Sequence, residues 1–346
     1  MQKAAVIGQY GNGTEYTTGQ AVKTRTITNW LAKQYGEDNI RIVNSYGWKR
    51  NPFKLFQNVL SSMIRCENII VLPAENGTKI FIPLISLLNI VFKRQTIYIV
   101  VGGWLAEMLK TNGFLRKMTA KFSAVYAETK SLTEELKELG IANAEYLPNC
   151  REYHKKENAK KVLCEPLHIC TYSRVTENKG ISDAVEICHK ANQKIGSNIF
   201  HLDIYGAIEH EYEDEFNMLL KENSDIVSYM GVVTDDNPAD ELVNQFAMLF
   251  PTYYVGECMA GTVLDAFSTG TPVIANDWKY NNEIISNRVN GFVYPYRDTD
   301  SAALYLIDIY RNHELYESIQ RNGYESAAEY STDNVLKMLA KRINRA

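Results

Sequence analysis

Glu257 and Asp265 are separated by seven residues within a stretch, 250–275, that reads strand, loop, helix, turn, strand. Glu257 falls in the loop, and Asp265 about a turn and a half into a helix expected over 261–268. Gly261, Thr262 and Val263 open that helix, where unpaired backbone N–H groups and the positive end of the dipole favour a phosphate. A carboxylate at 265 suits ribose hydroxyls, the role an acid takes in dinucleotide folds. Taken singly, Glu257 also reads as an exposed loop acid and Asp265 as a solvent-facing helix residue. Together they read as a nucleotide-binding pair.

A second pattern is Tyr172-Ser173-Arg174-Val175-Thr176-Glu177-Asn178-Lys179-Gly180, which follows an expected strand and opens an expected helix. Arg174 and Lys179 then sit in a strand–helix loop, at the sheet edge where ligands bind in such folds. Two fixed cations there suit a diphosphate: Arg grips two oxygens in a fork, and Lys acts as a point charge. Ordinary surface charges are the competing reading. In the first half, Gly8-Gln9-Tyr10-Gly11-Asn12-Gly13-Thr14 separates a strand from a helix, but it is not a GxGxxG fingerprint. Gly102-Gly103-Trp104 follows another strand at the same sheet edge. Glycines permit close ligand approach there, and Trp104 can stack on a sugar. Loop glycines and a core Trp are the alternative.

The 250–275 segment resembles the E-x7-E motif of retaining GT-B glycosyltransferases, the large bacterial group called family 4. Glu257 matches the first acid, and Asp265 stands where the second Glu usually is. Arg174 and Lys179 match that family's phosphate-binding Arg and Lys. Gly270-x-Pro272-Val273-Ile274-Ala275, Asn290-Gly291-Phe292-Val293 and Glu283 match its following segments. Pro251-Thr252-Tyr253-Tyr254 and Asp277-Trp278-Lys279-Tyr280-Asn281 look like the branch found in capsule and O-antigen gene clusters. The resemblance is strong over 165–310 and diffuse over 1–150.

The resemblance implies an α/β GT-B fold, two Rossmann-like doubly wound domains facing a central cleft. It implies a nucleotide-diphosphate sugar as donor, UDP being the commonest base, and a saccharide acceptor, lipid-linked in surface polysaccharide synthesis. Arg174 and Lys179 would neutralise the leaving diphosphate, Glu257 would lie near the sugar hydroxyls, and Asp265 on the ribose. Gly11, Asn12 and Gly13 would form a flexible loop on the acceptor side, with Gly103 and Trp104 nearby. No cofactor or metal is expected. Two departures stand out: Cys258 and Met259 replace the usual Gly and Phe, and residues 1–150 hold none of the six His. Asp298-Thr299-Asp300 spells the DxD that binds a metal in another glycosyltransferase fold, but here it precedes an apolar-periodic run and reads as a helix cap. His189 beside Cys188 lacks metal-ligand spacing. A nucleotide-sugar epimerase of similar architecture and a catalytically silent sugar-nucleotide-binding protein are the rival functions.

These residues need a scaffold that brings strand ends together. Apolar runs at 4–8, 40–43, 68–72, 97–101 and 123–127 alternate with amphipathic stretches such as 19–35 and 132–139. A second series runs through 168–172, 199–205, 226–229, 247–250, 272–275 and 291–294, with helices between and after them. Strand and helix in alternation imply parallel sheets with covered faces. The pattern breaks near 146–149, and the polar run 151–161 reads as a linker. The expected domains are 1–150 and 160–328, with a basic C-terminal helix over 331–346 packing back on the first. The apolar stretch 81–92 is too short to span a bilayer as a helix and reads as a buried core helix.

Composition fits this picture. The chain has 346 residues, 45% apolar and 23% charged, which suits a globular protein of two domains. Six Cys without a CxxC pair read as reduced thiols in the cytoplasm. A formal charge of −4 argues against nucleic-acid binding. That total hides an asymmetry: residues 1–150 carry net +7 and residues 151–346 net −11. Trp48-Lys49-Arg50-Asn51-Pro52-Phe53-Lys54, Lys93-Arg94 and Phe114-Leu115-Arg116-Lys117 mix basic with apolar residues. Such a surface suits an anionic membrane face, with an ordinary solvated face as the alternative.

Overall fold

The computed structural model describes residues 1–11, 18–152, 164–233 and 238–344. The chain forms two compact units, Met1–Glu152 with Tyr330–Ala346, and Tyr153–Glu329.

The first unit is built on six parallel strands: β1 Gln2–Gly8, β2 Ile40–Asn44, β3 Cys66–Leu72, β4 Gln95–Ile99, β5 Ala124–Ala127 and β6 Ala144–Tyr146. They lie in the order β2-β1-β3-β4-β5-β6. Ala4 to Ile7 are all buried, the unbroken apolar run expected of a strand covered on both faces. The connecting helices are α1 Gly19–Tyr35, α2 Pro52–Arg65, α3 Glu75–Phe92, α4 Leu105–Thr111, α5 Gly113–Thr119 and α6 Lys130–Glu138. Four of these starts are capped by side chains: Thr18, Asn51, Asn112 and Thr129 each accept from an N–H of the first turn. Each cap satisfies a donor that the helix itself leaves unpaired.

Helix α3 corrects one expectation. The stretch 81–92 is not enclosed: Phe81, Ile82 and Ile85 are buried, whereas Leu87, Ile90 and Val91 are exposed. The helix lies on the sheet with one face, and its apolar character continues round to the other. At 146–149 the chain does not yet leave the first unit; Tyr146 ends β6, and Leu147 and Cys150 are buried. The polar run expected as a linker lies, from 153 onward, outside the described residues.

The second unit holds β7 Leu167–Tyr172, β8 Phe200–Tyr205, β9 Val227–Gly231, β10 Ala247–Phe250, β11 Val273–Asn276 and β12 Phe292–Tyr294. Its sheet, ordered β12-β11-β10-β7-β8-β9, is again parallel throughout. This is the doubly wound order in which strand succession reverses between the first strand and the fourth, here β7 and β10. The helices are α7 Ile181–Ile195, α8 Glu213–Glu222, α9 Pro238–Val243, α10 Gly261–Ser268, α11 Asn281–Ile284, α12 Thr299–Arg311 and α13 His313–Glu329. α7 packs on α12, and α10 on α13. Stacked Phe246 and Tyr316 rings, 4.8 Å apart, join the start of β10 to α13.

The last helix, α14 Thr332–Ile343, returns to the first unit. Val335, Leu336, Leu339 and Ile343 join the core formed by β1, β3, β4, β5 and α1. Trp30 Nε1 donates to Asp333 Oδ1 at 2.8 Å and fixes the start of that contact.

Candidate functional site

Between β7 and β10 the sheet order reverses, and in doubly wound sheets ligands bind beyond the carboxyl ends of the strands at that point. The loop after β7 runs through Ser173–Gly180 and the one after β10 through Pro251–Ala260. Each is fastened to the other. Tyr253 N–H donates to the Asn178 carbonyl at 2.9 Å. Gly180 adopts φ +72°, and a Cβ there would collide with the Pro251 carbonyl. Only glycine meets both demands without strain.

The fastening brings Lys179 and Glu257 together from 78 residues apart, with Nζ 2.5 Å from Oε2. Thr252 Oγ1 donates to the same carboxylate oxygen at 2.9 Å. Both charged side chains are nearly buried, 10% and 11% exposed, so each depends on the other for its solvation. Arg174, half exposed, pairs with Glu209 in the segment after β8. The Tyr254 ring is within reach of both cations, its centre 5.0 Å from Lys179 Nζ and 5.5 Å from the Arg174 guanidinium carbon. Trp278 Nε1 donates to the Tyr254 carbonyl at 2.8 Å and holds that loop from beneath. The arrangement gathers two cations around one aromatic ring, each balanced by a carboxylate. An anionic ligand entering there competes with Glu257 and Glu209 for these charges.

The other residues singled out from this half lie close by in the chain. Gly261, Thr262 and Val263 form the first turn of α10, with Gly261 and Thr262 partly exposed and Val263 buried. Asp265 is buried in the same helix, 6% exposed. Cys258 and Met259 beside Glu257 are also buried. On the neighbouring loop Arg297 lies 4.9 Å from the Tyr253 ring centre and 3.6 Å from Asp183 Oδ1, in the first turn of α7. Burial pushes the Asp183 carboxyl above its ordinary range, and Arg297 offsets part of that rise.

Several motif residues serve the fold. Asn290 donates to Ile284 O and Ser326 Oγ and accepts from Ser286 N–H. A Cβ on Gly291 would press against the Val273 carbonyl, 2.9 Å away. Glu283 lies exposed in α11. Asp298 caps α12, accepting from Ser301 N–H at 3.1 Å, and Asp300 pairs with Lys190 and Lys194. The DxD triplet is thus a helix start. Among the described residues no group of three His, Cys, Asp or Glu could hold a metal.

In the first unit Gly11 has φ +77°, whereas Asn12 and Gly13 lie outside the described residues. Gly103 is buried and Trp104 partly exposed just before α4. A pair absent from the sequence reading holds this loop. Lys23 Nζ lies 2.5 Å from Glu128 Oε1 and 3.3 Å from the Val100 carbonyl, and Glu128 Oε2 accepts from Gly102 N–H at 3.4 Å. Nothing in a helical Lys and a post-strand Glu 105 residues apart signals their contact. Glu209, Thr252 and Tyr254 carry no sequence signal as partners for the same reason, although Thr252 and Tyr254 belong to the Pro251-Thr252-Tyr253-Tyr254 motif.

Comparisons with known proteins agree with this architecture. Residues 152–326 match the family described as Glycosyl transferases group 1. The amylovoran biosynthesis glycosyltransferase AmsK of Erwinia amylovora is 24% identical over 152 residues, 43% of this chain and 37% of that protein. The alignment therefore spans little more than a third of the curated relative. HepE of Anabaena, solved in complex with UDP, superposes with a TM-score of 0.79 at 12% identity, covering 100% of both chains. Sucrose-phosphate synthase from Thermosynechococcus elongatus gives 0.76 at 13% identity, covering 100% of this chain and 99% of that one. At such identities the two structures speak for the fold.

Proposed function

Because the chain belongs to the glycosyl transferases group 1 family, we propose that its second unit holds a nucleotide-diphosphate sugar beyond the carboxyl ends of β7 and β10 and passes the sugar to a saccharide acceptor. The observation that carries this reading is the pair of cations, Arg174 and Lys179, gathered around Tyr254 where the strand order reverses. Breaking the bond between the sugar and the diphosphate leaves negative charge on the phosphate, and fixed cations stabilise that charge without reorganising. Lys179 leaves Glu257 for the diphosphate, and Arg174 leaves Glu209. The freed Glu257 accepts hydrogen bonds from sugar hydroxyls. The first turn of α10, Gly261 to Val263, offers backbone N–H groups to a phosphate, and Asp265 takes the ribose. The two cations supply the charge that a divalent metal would otherwise provide.

The finer reading follows the motif resemblance: retention of anomeric configuration, and a donor carrying UDP. UDP also occupies the structural relative HepE. The acceptor is a lipid-linked saccharide at the inner face of the plasma membrane, in surface polysaccharide synthesis. The name of the Erwinia amylovora relative, an amylovoran biosynthesis glycosyltransferase, supports that assignment. Product analysis tests the proposal. The chain is incubated with UDP-sugars and saccharide acceptors, and the anomeric proton couplings of donor and product are compared by NMR. A product with the donor's configuration is expected. An inverted product contradicts retention, and an epimerised donor without transfer overturns the proposed reaction.

A further inference from the structure

Helix α3 is apolar on both faces, yet only one of them is covered. Phe81, Ile82 and Ile85 are buried against the first unit, while Ile80, Leu87, Ile90 and Val91 are 46–76% exposed. A helix that is hydrophobic all round is ordinarily enclosed all round. The surface extends onto both helices that pack against α3: Phe53 of α2 is 68% exposed, and Phe114 of α5 is 59% exposed.

Charge around this face is predominantly positive. Residues 48–122 contain eleven Lys and Arg against three Asp and Glu, and Glu75 is the only acid on α2, α3 and α5. Lys54, Lys79 and Lys93 are exposed on these helices or at their ends. Lysine is depleted at the cores of protein–protein interfaces. Lysines beside exposed aromatic and aliphatic side chains instead match a lipid interface, where phosphates meet acyl chains. Among the described residues no helix is long and apolar enough to cross a membrane, so the helices would lie on the surface rather than span it.

We propose that the outer face of α2, α3 and α5 is a docking surface for an anionic lipid bilayer. Leu87, Val91 and Phe53 enter the boundary between headgroups and acyl chains, and the lysines meet lipid phosphates. The proposal rests on the membrane-bound acceptor suggested above and names the surface that would bring the enzyme to it.

Co-sedimentation of the full chain with vesicles tests it, using phosphatidylcholine alone or mixed with phosphatidylglycerol. Binding to the mixed vesicles only is expected. The variants Leu87→Ser/Val91→Ser and Lys54→Glu/Lys79→Glu should each lower it about tenfold or more. Stabilisation by UDP, measured on the same samples, should be unchanged and so reports separately on folding and on the donor site. Vesicle binding without a UDP effect supports the surface and counts against the proposed reaction. A UDP effect without vesicle binding overturns the surface alone. Equal binding to both vesicle types, or concentration-dependent self-association through this face in place of vesicle binding, also overturns it.

Discussion

Lys179 and Glu257 solvate each other in a nearly closed environment, and this coupling makes a measurable prediction. Removing one charge leaves the other buried without a partner, at a cost of about 3–5 kcal/mol. Lys179→Met and Glu257→Gln should each lower the unfolding free energy by roughly that amount, and the double variant by clearly less than the sum. Urea unfolding of all four proteins checks this, and strict additivity would contradict the coupling. All three variants should lose most turnover in the product assay, because stability recovered in the double variant does not restore the charges. The four charged or acidic site residues were legible in the sequence by type and spacing. Their partners were not. Glu209 and Thr252 reach Arg174 and Glu257 only because parallel pairing places the ends of β7, β8 and β10 side by side.

At the scale of elements, helix starts show how local chemistry becomes structure. The Ser301 hydroxyl and backbone N–H both donate to Asp298 and hold its carboxyl below its ordinary value of 3.8. The folded chain therefore binds fewer protons at this site than the unfolded chain does. The stabilisation is complete above the unfolded value and fades as pH falls through the lower, folded one. Asp298→Ala should cost about 1 kcal/mol at neutral pH. The gap between wild type and variant should then narrow as the pH is lowered below the ordinary Asp value. A constant gap in denaturant titrations across that range would contradict the capping account. Legibility followed the same logic. Helix α1 and helix α10 were readable from end to end, since glycine punctuates both, Gly36 just after α1 and Gly261 at the start of α10. Helix α2 keeps a helical period at Leu55, Val59 and Met63, but Phe53, Phe56 and Ile64 are exposed and hide where its buried face ends. Strand β6 has three residues, too few to show alternation.

For the molecule as a whole, the chain finishes where it began. α14 places Val335, Leu336, Leu339 and Ile343 in the core of the first unit. Burying each such side chain contributes about 1.5–3 kcal/mol, so the helix accounts for much of a typical domain's margin of about 5–15 kcal/mol. A chain cut after Glu329 should lose the calorimetric transition of the first unit and keep that of the second. Two unchanged transitions would contradict the role given to α14. The alternation of strands and helices announced two parallel sheets. The strand order in each could not be read, because it depends on which face each crossover helix takes. That order matters most at β7 and β10, whose pairing brings the loops of the candidate site together. The most direct test is a thermal-shift series with UDP, GDP, dTDP, CDP and ADP on wild type and Lys179→Ala, without metal. A ligand at a hundredfold its Kd stabilises by about 2.7 kcal/mol. UDP should raise the Tm of the wild type and leave that of Lys179→Ala unmoved. An equal shift in both proteins would place the nucleotide elsewhere and contradict the proposed donor site.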